Sequence, residues 1–128
     1  MAYYNSKQVN FTFAEAINKV TEELKKEGFG VLTEIDVKET LKKKLDVDFR
    51  NYKILGACNP PFAYQALQAE DNLGVLLPCN IVVQEKENGN VFVSAVNPME
   101  SMQAVNNPVL GEVADKISSK LQKVLESL

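Results

Sequence analysis

The spacing of apolar residues predicts the first elements of the chain. Alternation over residues 3–9 is typical of a strand, and Thr12 with Glu15 forms a capping box that is expected to begin a helix. Gly28 is expected to end this helix, and residues 29–35 are rich in β-formers. The apolar stripe of the helix would consist of Phe13, Ala16, Ile17, Val20 and Leu24.

The residue pattern in the middle of the chain predicts two helices and a strand. Asp36 repeats the capping signature ahead of a short second helix. Residues 52–58 are expected to form a strand in which every second side chain lies on one face. Cys58 would be the last residue on that face. Asn59 is expected to cap a helix that begins at Pro60 and runs to about residue 70, followed by an apolar connector.

A hairpin is predicted to begin at Cys79, with Asn88-Gly89 as a two-residue type I′ turn. That turn fixes the register of the two strands. It would pair Val83 with Ser94 and Ile81 with Val96, on a face shared with Cys79 and Phe92.

Both faces of this hairpin would then be apolar. Val82, Val91, Val93 and Ala95 would occupy one face, and Ile81, Val83, Phe92 and Val96 the other. The main helices can cover only one side of a sheet, so a second apolar side suggests a further cover. A symmetric homodimer is the commonest solution, and the hairpin pattern predicts one.

The chain closes with the longest predicted helix, which starts at Asn107-Pro108 after a methionine-containing loop. Its stripe would be Val109, Val113, Ile117, Leu121, Val124 and Leu128. The order of elements predicts an α+β fold, in which a mostly antiparallel sheet carries the first and last helices on one face. Residues 1–128 have the length of a single domain, with no linker long enough to divide them.

Composition narrows the possible functions. Fourteen Lys and Arg are spread among seventeen Asp and Glu, giving a net charge of −3, which disfavours nucleic-acid binding. No apolar run is long enough to span a membrane, and the first residues lack the apolar core of a signal peptide, so a cytoplasmic protein is expected. The chain has no histidine, which excludes Ser-His-Asp and Cys-His catalysis within it.

The candidate site lies around the two cysteines, in the segments Cys58-Asn59-Pro60 and Pro78-Cys79. A thiol just before a helix start would be favoured as the thiolate, which makes Cys58 a candidate nucleophile or ligand. The alternative is that both cysteines are small buried hydrophobes. Two thiolates fall short of a closed zinc site but could hold Cu(I), so no metal or cofactor is predicted and copper handling stays an alternative.

The chain also resembles the domain of unknown function 302 family almost from end to end. The residues that carry the likeness are 28–45, 52–60, Ala63 with Leu67, and the segment from Gly74 to Asn80. The resemblance implies a curved sheet in β-α-β-β-β-β-α order, similar to the TATA-binding protein fold, and members that tend to pair as dimers. It implies no activity, and a shared fold does not bring DNA binding with it.

These observations favour a small cytoplasmic homodimeric binding module with a pocket near Cys58, Asn59, Pro60, Pro78 and Cys79. A small-molecule ligand is possible for such a pocket, and no reaction is assigned. One alternative is a thiol-dependent activity in sulfur, redox or Cu(I) handling through Cys58 and Cys79. Another is a purely structural partner protein that uses its last helix or its apolar sheet face.

Overall fold

The computed structural model describes residues 2–128 and contains one five-stranded antiparallel sheet. The strands are β1 (Tyr4–Val9), β2 (Gly30–Asp36), β3 (Tyr52–Cys58), β4 (Cys79–Glu85) and β5 (Val91–Val96). Their spatial order is β1-β5-β4-β3-β2, which leaves β1 and β2 at the edges. The predicted α+β class and the mostly antiparallel sheet are therefore confirmed.

Within the described residues 2–128, five α-helices accompany the strands, in the order that the sequence predicts with one short addition. They are α1 (Phe13–Lys26), α2 (Val37–Leu45), α3 (Pro60–Ala69), α4 (Pro98–Ser101) and α5 (Pro108–Glu126). The segment expected to be a connector contains a 3₁₀ helix, Asp71–Leu76. No helix within residues 2–128 combines the length and the apolar content that a membrane crossing requires.

The ends of α1 and α2 follow the local sequence rules. The Thr12 hydroxyl accepts from the Glu15 backbone N–H, and the Glu15 carboxylate accepts from the Thr12 N–H, which completes the capping box. Gly28 follows the end of α1 with φ of +86°, as a residue beyond a helix end often does. Asp36 caps α2 by accepting from the Glu39 N–H.

The core forms where α1 and α5 pack on one face of the sheet. The sheet supplies alternate residues of β3, β4 and β5, because successive strand side chains point to opposite faces. These are Leu55 and Ala57, then Cys79, Ile81 and Val83, then Val91, Val93 and Ala95. From α5 the buried residues are Leu110, Val113, Ala114, Ile117, Leu121, Val124 and Leu125, whereas the predicted stripe residue Val109 is exposed.

The hairpin register differs by one residue from the prediction. Lys86 donates its N–H to Asn90 O at 2.8 Å, and Gly89 N–H donates to Lys86 O, which leaves a three-residue loop of Glu87, Asn88 and Gly89. Gly89 has φ of +85°, and it is the one loop residue with a positive φ, whereas a type I′ turn requires two. The prediction of a two-residue turn was wrong because the Asn-Gly sequence also fits a three-residue loop with glycine in the left-handed region.

This shift reassigns every side chain of β5, since side chains repeat with period two. Val83 pairs with Val93, and Ile81 pairs with Ala95, so both apolar pairs lie beneath the helices. Phe92 moves to the opposite face, where Ser94 lies between it and Val96. The opposite face is therefore a mixture of apolar and polar side chains and not the second apolar surface that the sequence suggested.

Two Asn-Pro steps hold the later helices in place. Asn107 accepts from Val109 N–H at the start of α5 and donates its side-chain N–H to Ala69 O at 3.0 Å. Asn97 likewise accepts from Met99 N–H at the start of α4, and its amide reaches Ala2 O at 3.4 Å. Each asparagine thus caps a helix and ties it to a remote segment.

Two glycine substitutions should change stability in opposite directions. Gly89→Ala should lower the free energy of unfolding by about 1 kcal/mol, because a Cβ disfavours positive φ. Gly111→Ala, on the exposed side of α5 with open space around the new Cβ, should raise it by about 0.5 kcal/mol. Urea unfolding of both variants measures the difference, and a Gly89→Ala protein as stable as the parent would contradict the observed loop.

Candidate functional site

An apolar cavity of about 360 Å³ lies at one end of the sheet, between β3, β4 and three of the helices. Its walls come from segments that are far apart in the sequence. The sheet side contributes Phe29, Leu32, Thr33, Ala57, Cys58, Asn59, Leu77, Pro78 and Cys79, and the helical side contributes Phe62, Ala63, Ala66, Leu67, Gly74, Pro98, Met102, Val113, Ala114 and Ile117. None of these side chains is charged.

The two cysteines meet at this cavity because β3 and β4 are neighbours. Ala57 pairs with Cys79 across the two strands, which places Cys58 one residue beyond that pair. Both side chains line the cavity and both are free thiols. Cys79 is only 8% exposed, whereas Cys58 is partly exposed.

Burial sets the chemistry of Cys79. It raises the pKa of this thiol from 9.0 to about 11, with a smaller contribution from the nearby Cys58 thiolate charge. Cys79 is therefore a neutral thiol at physiological pH. As such it packs as a small hydrophobe, which is the commonest environment for a free cysteine.

Asn59 does not cap α3, contrary to the prediction. Its side chain makes no hydrogen bond to the start of that helix. The amide instead donates to Glu27 O at 3.1 Å, at the end of α1. A Cβ at Gly28 would lie 3.2 Å from the same amide nitrogen, so the glycine leaves space for the contact. Asn59 thus lines the cavity while holding α3 against the end of α1.

The two prolines of the candidate site lie in different environments. Pro78 lines the cavity after a cis Leu77-Pro78 bond. It lies close to Gly56, where an added Cβ would be 2.8 Å from the proline ring. Pro60 is exposed at the first position of α3 and does not line the cavity. The structure therefore brings together Cys58, Asn59, Pro78 and Cys79, and leaves Pro60 outside.

Sequence reasoning did not identify the helical half of the cavity. In α5 the sequence predicted Val113 and Ile117 as core positions, and both are buried while also lining the cavity; Ala114, which also lines it, was not predicted. The available signal was the small residues Ala63 and Ala66 on α3, since small side chains on a packed helix face leave space beside them.

The acidic and thiol side chains of residues 2–128 form no cluster of three or more that could hold a metal ion. Within the cavity the candidate ligands are the two thiols alone. Two thiolates are a possible donor set for Cu(I), but Cys79 would first have to lose a proton that burial retains.

Fold and cavity together describe a small α+β protein with helices on one sheet face and an apolar chamber at the end of the sheet. The chain belongs to a family described as the domain of unknown function DUF302, whose model matches residues 5–128. A crystal structure of an uncharacterized conserved DUF302 protein from Bacillus stearothermophilus is similar, with 33% sequence identity and a TM-score of 0.92. The match covers 99% of this chain and 98% of that one. The family indicates no specific function, and the chain matches no curated protein.

The two thiols should differ in reactivity in the folded protein. Cys58 should be alkylated by iodoacetamide under native conditions, and Cys79 should react only when the chain opens, because it is buried and neutral. Mass spectrometry of Cys58→Ala and Cys79→Ala, each with one remaining thiol, measures the two rates separately. The same rates in urea serve as the control, since unfolding should equalise them. Faster native labelling of Cys79 would contradict the burial described above.

Cys79 should also make the free energy of unfolding decrease as the pH rises through the alkaline range. Its folded pKa lies above its unfolded one, so its contribution to stability is intact below pH 9 and falls as pH rises from 9 to about 11. The expected loss is about 3 kcal/mol, from roughly two pKa units at 1.4 kcal/mol each. Urea unfolding across this range should show a steeper decline for the parent than for Cys79→Ala. Because other groups titrate there too, the difference between the two slopes is the measurement, and equal slopes would contradict the assignment.

Proposed function

We propose that this protein is a binding module that holds a small, mostly apolar and uncharged molecule in the cavity beside Cys58 and Cys79. The observation that carries the proposal is the chamber itself, about 360 Å³ with no charged side chain in its wall. Burying a charge there would leave it without a partner, which proteins avoid. Ligand pockets are typically 300–1,000 Å³ and mostly apolar, so the volume suits an apolar molecule of up to about three rings or an aliphatic chain of similar size.

Polar recognition within the cavity would be limited to a few atoms. Thr33 is the one hydroxyl in the wall, and the Asn59 amide already donates to a backbone carbonyl. The thiols of Cys58 and Cys79 are weak hydrogen-bonding groups. Shape and apolar contact would therefore dominate selectivity, with Thr33 able to orient one polar atom of the ligand.

The cavity also has an entrance. Two of its lining residues, Leu32 and Leu67, are 68% and 41% exposed. Leu32 occupies the irregularity of edge strand β2, where the register with β3 shifts between Val31 and Thr33. Exposed leucines beside a chamber provide an apolar path from solvent, along which an apolar molecule can enter.

A thiol-dependent activity remains the second candidate, because both cysteines line the same cavity. The raised pKa of Cys79 supports the binding role instead, since metal binding and nucleophilic attack both need a thiolate. A structural partner protein would not need a chamber of this kind. The homodimer and the cytoplasmic location stay predictions, and the new hairpin register removes the two-sided apolar pattern on which the dimer prediction was based.

Filling the cavity should abolish binding of an apolar probe. N-phenyl-1-naphthylamine, a neutral fluorophore, should bind the parent protein with increased emission, and Ala63→Leu should weaken that binding about tenfold or more by occupying the same space. Gln65→Leu is the matched control, because it adds the same side chain on the exposed side of α3. Thermal unfolding of both variants verifies that they are folded.

Equal probe affinity in the two variants, or no emission change in the parent, would overturn the proposal. A folded parent protein that releases an apolar molecule on denaturation, with the molecule absent from Ala63→Leu preparations, would identify the natural ligand directly. Native mass spectrometry of freshly purified protein makes that comparison.

A further inference from the structure

A second depression, of about 410 Å³, lies on the sheet face opposite the helices. It spans β1, β5, β4 and β3, and none of its lining residues belongs to a helix. Its lining includes Tyr4, Tyr52, Asn80, Gln84, Lys86 and Phe92. We refer to this surface as the open face.

Aromatic rings stand at both ends of the open face. Tyr4 of β1 is 43% exposed and meets the Tyr3 ring edge to face, with the centroids 4.9 Å apart. Tyr52 of β3 and Phe92 of β5 are partly exposed further along the sheet. Rings held on a rigid sheet are stacking platforms for planar ligands, as in proteins that bind unpaired bases.

The charges on the open face have one sign. Lys86 Nζ lies 4.5 Å from the centroid of the Phe92 ring, and the Arg50 guanidinium lies 5.4 Å from that of Tyr52. Among the residues that line this face Lys86 is the one charged residue and none is Asp or Glu, although the chain as a whole has a net charge of −3. A local positive region beside aromatic rings is complementary to an aromatic anion.

Polar groups between the rings can read the edge of such a ligand. The Asn80 side chain is exposed in the middle of the sheet. Arg50 Nε donates to Gln84 Oε1 at 3.1 Å, which fixes the Gln84 amide with its NH₂ group available as a donor. The Ser6 and Ser94 hydroxyls hydrogen-bond each other at 2.9 Å and have further acceptor capacity.

We infer that the open face binds a nucleobase that carries a phosphate. The phosphate draws Lys86 and Arg50 off the Phe92 and Tyr52 rings that they cover, and the base stacks on the rings so exposed. The amides of Asn80 and Gln84 face the base edge. A second copy of the chain fits this surface less well, because it would bring Lys86 and Arg50 to a face that has no acidic side chain for them. This site shares no lining residue with the apolar cavity and does not depend on it.

Titration with adenosine 5′-monophosphate tests the inference, with two truncated probes as controls. Adenosine lacks the phosphate and ribose 5-phosphate lacks the base, so each should bind at least about tenfold more weakly if both interactions contribute. Backbone amide shifts in NMR should place the nucleotide on β1, β5, β4 and β3. Calorimetry gives the affinities.

Lys86→Glu should weaken nucleotide binding by about tenfold or more, through loss of a charge-assisted contact and added repulsion. Lys44→Glu, an equal charge reversal at an exposed position of α2, should change it less than about twofold at physiological salt. Phe92→Leu should weaken adenosine and the mononucleotide alike, because both use the stacking contact. Thermal unfolding of each variant verifies that it is folded.

A short single-stranded RNA distinguishes the source of the ligand. If the strand binds more tightly than the mononucleotide, with a steep dependence on salt, the ligand of this site is a single-stranded nucleic acid bound through the same base and phosphate contacts. No saturation by the mononucleotide and none by the strand at millimolar concentration would overturn the inference. So would equal affinities for Lys86→Glu and Lys44→Glu, or a dimer that Lys86→Glu dissociates, which would make the open face an interface between copies.

Discussion

Burial of one sheet face beneath α1 and α5 is the constraint on which the rest of the structure depends. Leu55, Val83 and Val93 are fully buried on the sheet side, and Val20 and Leu24 are fully buried on α1. A fully buried side chain of this kind contributes about 1.5–3 kcal/mol relative to an exposed one. Strand register and helix placement must both keep these residues inside. This packing leaves two depressions unfilled: the open face, with its aromatic and polar side chains, and the chamber at the end of the sheet.

The three Asn-Pro steps then fix where the helices lie. In each step the asparagine amide donates to the backbone carbonyl of a distant residue, Glu27 for Asn59, Ala2 for Asn97 and Ala69 for Asn107. The following proline suits the first position of a helix, because it has no N–H to leave without a partner. Asn59 therefore has a structural task at the edge of the cavity, which reduces what it can offer to a ligand.

Local sequence rules predicted most elements, because capping and periodicity act within a few residues. Thr12, Gly28 and Asp36 illustrate this, since each has the role that its neighbours in the sequence specify. Asn59 shows the limit, because the choice between capping α3 and bonding Glu27 O depends on a residue 32 positions away. The hairpin register shows another limit, since Asn88-Gly89 is compatible with two loop lengths and only burial of Val93 in place of Phe92 separates them. The α5 wall of the cavity was beyond prediction for the same reason, because α5 reaches the cavity only through tertiary packing.

The alternation of side chains along β3 and β4 explains how one small sheet can present two different surfaces. Ala57 and Cys79 point toward the apolar cavity, whereas Tyr52 and Gln84 point to the open face. Neighbouring side chains in the regular part of a strand point to opposite faces, so the two sides carry different chemistry, although at the end of β3 both Ala57 and Cys58 line the cavity. Net charge describes neither side. An overall value of −3 coexists with a chamber that has no charge at all and with an open face whose strand residues carry no acid. What this chain can bind therefore follows from how the sheet distributes its side chains, and a whole-chain property such as net charge does not determine it.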